Sequence, residues 1–295
     1  MFVLDGAAGI VRVLTDSLRS TGTIGRPGRG PGEFDRFVMP TSHGGSQRWV
    51  ATQGDTLAVF DGERVSRFRL DGTLLSTWSY DRVRGTSPMQ SRIAHVAGEV
   101  FFTTGGYDPM AGAVQSAFQV QATRGEKPRD VVRIALPAVS SALTSEHARP
   151  RWDVGGRCIV LSDGTSPWLV RVDRETGATD TISIPLPDRE PPPISEEERR
   201  AARMAGGQGS LPEPTAPLLI RDLIMDPDGE VWIRPVQPRP ALDGVEVLRI
   251  SPATGAVRTD TVPAWPLAFG APGVYYTVEA SPDGVPIIVR YEAVR

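Results

Sequence analysis

The chain has 295 residues, 40% of them hydrophobic and 23% charged, with a net charge of −3. That length suits one large all-β domain or two smaller ones, and the charge implies neither a basic nucleic-acid stripe nor a polybasic membrane face. No apolar run reaches membrane-spanning length, and the single cysteine, Cys158, excludes an internal disulfide and reads as a small buried hydrophobe.

Met1 is followed directly by Phe-Val-Leu-Asp, so no signal peptide opens the sequence as it stands. A recurring element comes next: an apolar strand ending in Asp, a short gap, a second apolar strand that often opens on Arg-Val, a Gly or Asp turn, and a further strand. Phe2–Asp5, Ile10–Leu14 and Arg19–Ile24 form its first copy. Thr56–Asp61, Arg64–Phe68 and Leu74–Tyr80 form the next, after the turn Leu70-Asp-Gly-Thr73. Later copies run from Cys158 to Ile184 and from Val231 to Val262. Each later copy is preceded by another strand and a hairpin cue, as at Gly54-Asp55, Gly98-Glu99, Gly155-Gly156, Asp226-Pro-Asp-Gly229 and Pro272-Gly273. The unit is a four-stranded antiparallel meander, with the period of about forty residues expected of propeller blades.

Six blades follow, at approximately 1–34, 35–80, 81–136, 137–187, 188–263 and 264–295, in a single β-propeller domain spanning 1–295. The first and last are incomplete: blade one lacks a first strand and blade six lacks a fourth. One upstream segment would supply both. Met1 is therefore expected to be an internal or misassigned start, and an in-frame stop just before it would refute this.

At the junction of blades one and two stands Gly25-Arg-Pro-Gly-Arg-Gly-Pro-Gly-Glu-Phe34, with four glycines and two prolines in ten residues. Such a run forms neither a helix nor a central strand, and it reads as a tight turn that plants Phe34 in a core. The other long connections are 105–115, 137–149, 188–217 and 235–244. All five join second to third strands or blade to blade, so one face of the propeller is expected to carry the elaborated loops, where function concentrates. In the 188–217 insertion, Ser195 followed by three glutamates predicts a short helix that stops at Gly206-Gly207.

The Gly25–Phe34 run, together with Val3-Leu-Asp5, Arg12-Val-Leu14, Arg64-Val-Ser-Arg-Phe68 and more weakly Asp226–Trp232, resembles NHL-type six-bladed β-propellers. It is most similar to the bacterial six-bladed β-propeller proteins that carry a Gly-x-x-Gly-x-Gly-Pro-Gly-Glu-Phe signature after the first blade. The signature covers the first quarter of the chain. The resemblance implies an extracytoplasmic protein, periplasmic or secreted, of a group mostly without assigned function.

Gly28-x-Gly30-x-Gly32 suggests a phosphate loop, but a strand-rich blade follows where such a loop needs a helix N-terminus. Arg26, Arg29 and Glu33 of this run are candidate contacts for an anionic ligand on the loop face. His43, His95 and His147 recur every 52 residues, and NHL-like lyases use one histidine per blade for zinc. Their offsets from the glycine hairpins differ, however, and only His95 falls on a first strand, so a three-histidine zinc site is not expected. Asp153 and Asp222 lie on first strands and are candidate channel ligands, since related six-bladed hydrolases hold calcium on carboxylates. Each follows an arginine, Arg151 or Arg221, and neighbouring strand residues point to opposite faces, so neither couple is expected to pair. Asp5 and Asp61 are expected to accept backbone N–H groups in the turns after them. The six tryptophans are expected mostly between blades. Arg234, at the mouth of the 235–244 loop, is a further candidate ligand contact.

The reading is an all-β, six-bladed propeller that carries no convincing catalytic constellation and acts as a non-enzymatic binding scaffold. Its loop face engages a protein, peptide or carbohydrate, as a monomer, without nucleic acid, membrane insertion or cofactor. Two alternatives stand beside it. One is a metal-dependent lyase or lactonase whose calcium or zinc would sit on His95, Asp153 and Asp222; the other is a structural module of an envelope assembly.

Overall fold

The strand Thr56–Phe60 shows how this chain builds its sheets. Its side chains alternate between faces, and both faces are buried. Leu57 and Val59 join one core with Val11, Ile24, Phe34 and Phe68, while Ala58 and Phe60 join another with Val65 and Val100. The nearly continuous apolar run Leu-Ala-Val-Phe follows from that double burial, which every interior sheet of a stack requires.

The structure is a computed structural model that describes residues 1–34, 49–61, 64–79, 93–104, 117–123, 129–135, 151–186, 196, 200, 217–237 and 244–292. It forms two compact units, Met1–Ile134 and Ala135–Arg295. The first unit holds three antiparallel meanders. Blade one is β1 (Phe2–Asp5), β2 (Ile10–Leu14) and β3 (Ser20–Ile24). The two-residue strands β4 (Arg26–Pro27) and β5 (Glu33–Phe34) pair in parallel inside the glycine-rich loop. Blade two is β6 (Trp49–Gln53), β7 (Thr56–Phe60), β8 (Arg64–Arg69) and β9 (Leu74–Ser79). Blade three is β10 (Ile93–Val96), β11 (Glu99–Thr104), β12 (Ala117–Thr123) and β13 (Arg129–Ala135).

The second unit repeats the plan. Blade four is β14 (Arg151–Gly155), β15 (Cys158–Ser162), β16 (Trp168–Asp173) and β17 (Thr179–Ser183). Blade five is β18 (Ile220–Met225), β19 (Val231–Pro235), β20 (Val245–Ile250) and β21 (Val257–Val262). Blade six is β22 (Ala268–Phe269), β23 (Val274–Ala280) and β24 (Pro286–Glu292). The fold is therefore all-β, a six-bladed β-propeller with almost no helix. Of the 188–217 insertion, Glu196 and Arg200 are helical and exposed, and its remaining residues up to 216 lie outside the described ones. So do the connections at 105–115 and 137–149 and the middle of 235–244.

Blades four and five meet through Leu169, Ile182, Leu223, Met225, Ile233 and Ile250. Blades five and six meet through Ile224, Trp232, Val247 and Tyr275. Trp232 is buried in the second of these layers and Trp152 is buried on blade four, whereas Trp168 is 39% exposed, against the interior place expected of the tryptophans. The acid that closes a second strand caps the turn after it. Asp5 accepts the Ala8 N–H at 3.0 Å, Asp61 the Arg64 N–H at 2.8 Å and Asp163 the Ser166 N–H at 2.8 Å.

The hairpin between β10 and β11 places Ala97 at φ 52° before Gly98 at φ 76°. This left-handed pair suits the twist of a two-residue hairpin, but Ala97 carries a Cβ in a region that favours glycine. Ala97→Gly is expected to stabilise the protein by about 0.5–1 kcal/mol, read as a raised urea midpoint with unchanged slope.

Candidate functional site

The Gly25–Phe34 loop is folded by its own carboxylate. Glu33 Oε1 accepts Arg26 Nε and Nη2, both at 2.8 Å, and Oε2 accepts the Gly30 N–H at 2.8 Å. These contacts, the Gly30 N–H first and Arg26 second, hold the Glu33 carboxyl below its ordinary pKa. Glycine is required where the loop closes on itself. A Cβ on Gly28 would lie 2.1 Å from Glu33 Oε2. Arg64 of β8 locks the loop from outside: Nη1 donates to the carbonyls of Arg29 and Gly30, and Nη2 to that of Glu33 and to Asp61 Oδ2. In the sequence Arg64 is an ordinary strand residue, and its regular place after Asp61 is the one signal of this lock. The result is a rigid platform from which the Arg26 side chain is 77% exposed. Of the three loop candidates, Glu33 is thus an internal strut and Arg26 faces solvent.

Arg151 and Asp153 are staples between blades four and five. They sit two residues apart on β14, so they share a face rather than opposing each other. Arg151, 3% exposed, donates from Nε to the Arg221 carbonyl at 3.0 Å. Its guanidinium lies over Gly164, where a Cβ would stand 2.3 Å from Nη1. Asp153, 5% exposed, accepts the Val154 N–H at 2.9 Å and, across the blades, the Met225 N–H at 2.7 Å. Asp222 is half-buried and pairs with Arg234 of β19 at 3.5 Å, across the sheet rather than with the adjacent Arg221. The Arg221 side chain is exposed. Arg151, Arg221, Asp222 and Arg234 thus gather at the end of blades four and five from which the second-to-third and blade-to-blade connections leave.

His95 of β10 is buried between blades two and three. Burial, reinforced by the charge of Arg67, pulls its pKa down to about 4, so the imidazole is neutral. His43 and His147 lie outside the described residues. Asp153 already accepts two backbone N–H groups, and Asp222 is ion-paired. Among the described residues no three His, Cys, Asp or Glu side chains group to hold a metal ion.

The second unit also carries a cleft that the sequence did not suggest. It encloses about 590 Å³ between blades four and five and is lined by the hairpin turns at Gly155–Cys158, Asp173–Thr179, Asp228–Glu230 and Ser251–Ala253. These are all first-to-second or third-to-fourth connections, so the cleft opens at the short-turn end, opposite the loop end of these blades. Cys158 and Met225 form its floor, and burial raises the Cys158 thiol above its usual pKa. The rim charges are largely matched: Arg157 pairs with Asp173 at 2.8 Å, and Arg171 pairs with Asp180 and the Pro252 carbonyl. The Thr176 backbone N–H first, and the Arg157 guanidinium after it, bring Asp173 down to about 2.

No family model and no curated protein match the chain. Solved structures do. A Bacteroides fragilis protein assigned as exported superimposes with a TM-score of 0.52 at 12% identity, over 94% of this chain and 75% of its own. TolB from Acinetobacter baumannii superimposes with a TM-score of 0.51 at 13% identity, over 99% of this chain and 60% of its own. At such identities the likeness shows the fold alone.

Proposed function

We propose that the chain is a non-enzymatic binding propeller that engages a protein, peptide or carbohydrate through its loop face. The observation that carries this reading is the Gly25–Phe34 platform. Its shape is held by Glu33 and Arg64, so the exposed Arg26 is presented without an ordering cost at the moment of binding. Arg234, partly exposed beside Asp222 at the loop end of blade five, offers a second polar contact. The expected ligand carries carboxylate or other acidic groups facing these guanidinium heads. A monomer located outside the cytoplasm belongs to the same proposal, on the strength of the signature resemblance.

The test is a screen of the purified protein against acidic and neutral peptide libraries and a glycan array, repeated with Arg26→Gln, which removes the charge without setting a like charge on Glu33. Binding to acidic members that falls tenfold or more in the variant, with an unchanged Tm, supports the proposal. Loss of binding with Ala178→Trp, which crowds the cleft, and not with Arg26→Gln would move the contact to the short-turn end and overturn it. Elemental analysis of protein purified without chelators addresses the competing lyase or lactonase. We expect far less than one calcium or zinc per chain, because Asp153 and Asp222 are already engaged and His95 is enclosed. Stoichiometric metal would favour the enzyme.

A further inference from the structure

Three of the blades place an arginine at the same position of the third strand, two residues before the turn: Arg67 in β8, Arg171 in β16 and Arg249 in β20. In blades four and five this guanidinium meets carboxylates. Arg171 pairs with Asp180, its direct partner on β17, and donates to the Pro252 carbonyl. Arg249 pairs with Glu230, lies 3.4 Å from Asp260 of β21, and stacks over Trp232. In blade two the residue directly opposite Arg67 on β9 is Ser76. The position that holds Asp180 in blade four therefore holds no carboxylate here, and Arg67 has no ion pair among the described residues.

What surrounds Arg67 deepens the mismatch. Its cross-strand neighbours on the same face are Ala58 and, beyond it, Ala51, small side chains whose size would allow a shallow trough beside Arg67 on the face of blade two that packs against blade three. His95 comes from β10, which packs along β6. It is 4% exposed, and neither ring nitrogen has a hydrogen-bond partner. Arg67 Nε and Trp49 Nε1 are likewise buried without a partner. A buried polar group left unpaired costs the full loss of its hydration, so such a cluster calls for a guest. Arg67 Nε and Trp49 Nε1 only donate, and neutral His95 offers one donor and one acceptor. The guest must therefore accept. The one carboxylate on the facing strands, Glu99 of β11, lies on the opposite face from His95 and is held by Arg129 at 3.0 Å.

We infer that the trough between blades two and three is a binding site for a small monovalent anion, a halide or a simple carboxylate, held by Arg67, His95 and Trp49 in place of the acid that blade four carries on its own fourth strand. The anion neutralises Arg67 and accepts the three orphan donors. Water would meet the donors but leave the half-buried cation without a counter-charge.

The repeat supplies its own control: Ser76→Asp restores the missing carboxylate. Thermal unfolding of the whole chain is followed against sodium bromide and sodium formate, each at constant ionic strength maintained with sodium sulfate. The wild type is expected to show a saturable rise in Tm of about 2–4 °C at a tenfold excess over Kd. Ser76→Asp is expected to begin at the higher Tm and respond to neither salt, and Arg67→Met to lose the response. A response to bromide alone identifies a halide site, and a response to formate a carboxylate site. Crystals grown in bromide should show an anomalous peak beside Arg67 and His95, and the His95 imidazole pKa should rise with anion. Equal salt responses in all three proteins, or ordered water alone at the trough, would overturn the assignment.

Discussion

Gly25→Ala is expected to destabilise the protein by about 3 kcal/mol, the sum of two separate penalties. Gly25 has φ 77°, where a side chain is strained. A Cβ there would also stand 2.2 Å from Cε2 of Phe34. Phe34 cannot yield easily, since it is 1% exposed and packs edge-on against Phe68 with ring centroids 5.8 Å apart. Relief requires either moving that ring from the core of blades one and two or opening the platform that Glu33 and Arg64 hold. Gly54→Ala separates the two penalties. Gly54 has φ 55°, but nothing lies within 4 Å of its would-be Cβ, so that variant should cost about 1 kcal/mol. Urea unfolding of both variants checks the difference, and equal midpoint shifts would mean that contact with Phe34 does not matter.

Asp153→Ala is expected to cost about 2–4 kcal/mol, because it leaves the N–H groups of Val154 and Met225 inside the protein without an acceptor. The Met225 bond spans 72 residues and joins blade four to blade five. Asp222→Ala should cost less than about 1 kcal/mol, because its pair with Arg234 is half-exposed and open to solvent. In the sequence these two aspartates are equivalent ligand candidates on equivalent strands. Chemical denaturation of both variants therefore measures a distinction that the structure alone introduces. Similar small losses for both would show that the Asp153 bonds are replaced by water when the carboxylate is removed.

Much of the architecture was legible because its signals are local. Alternation in runs such as Thr56–Phe60, glycines at hairpin turns and an aspartate closing a strand act over two to five residues. Those signals located the blades and the capping roles of Asp5 and Asp61. They failed where an environment is assembled from distant segments. Trp168 reads like the other tryptophans, yet its place at the start of β16 leaves it exposed. The cleft near Cys158 leaves no mark in the sequence because it is lined by four turns, each ordinary by itself.

The candidate site divides along the same line. The amino-acid sequence by itself determined that a glycine-rich loop joins blades one and two, since Gly25, Gly28 and Gly32 take backbone angles that residues with a side chain rarely adopt, and that charged residues would stand on first strands and loop mouths. Only the tertiary structure decided what those charges do. Arg64 reaches a carbonyl 31 positions away, and Arg151 one 70 positions away. Asp222 turns to Arg234 instead of its neighbour, and Arg67 meets Ser76 where Arg171 meets an acid. A charged side chain takes the nearest acceptor in space. Strand pairing and blade packing determine that distance, which sequence separation does not encode.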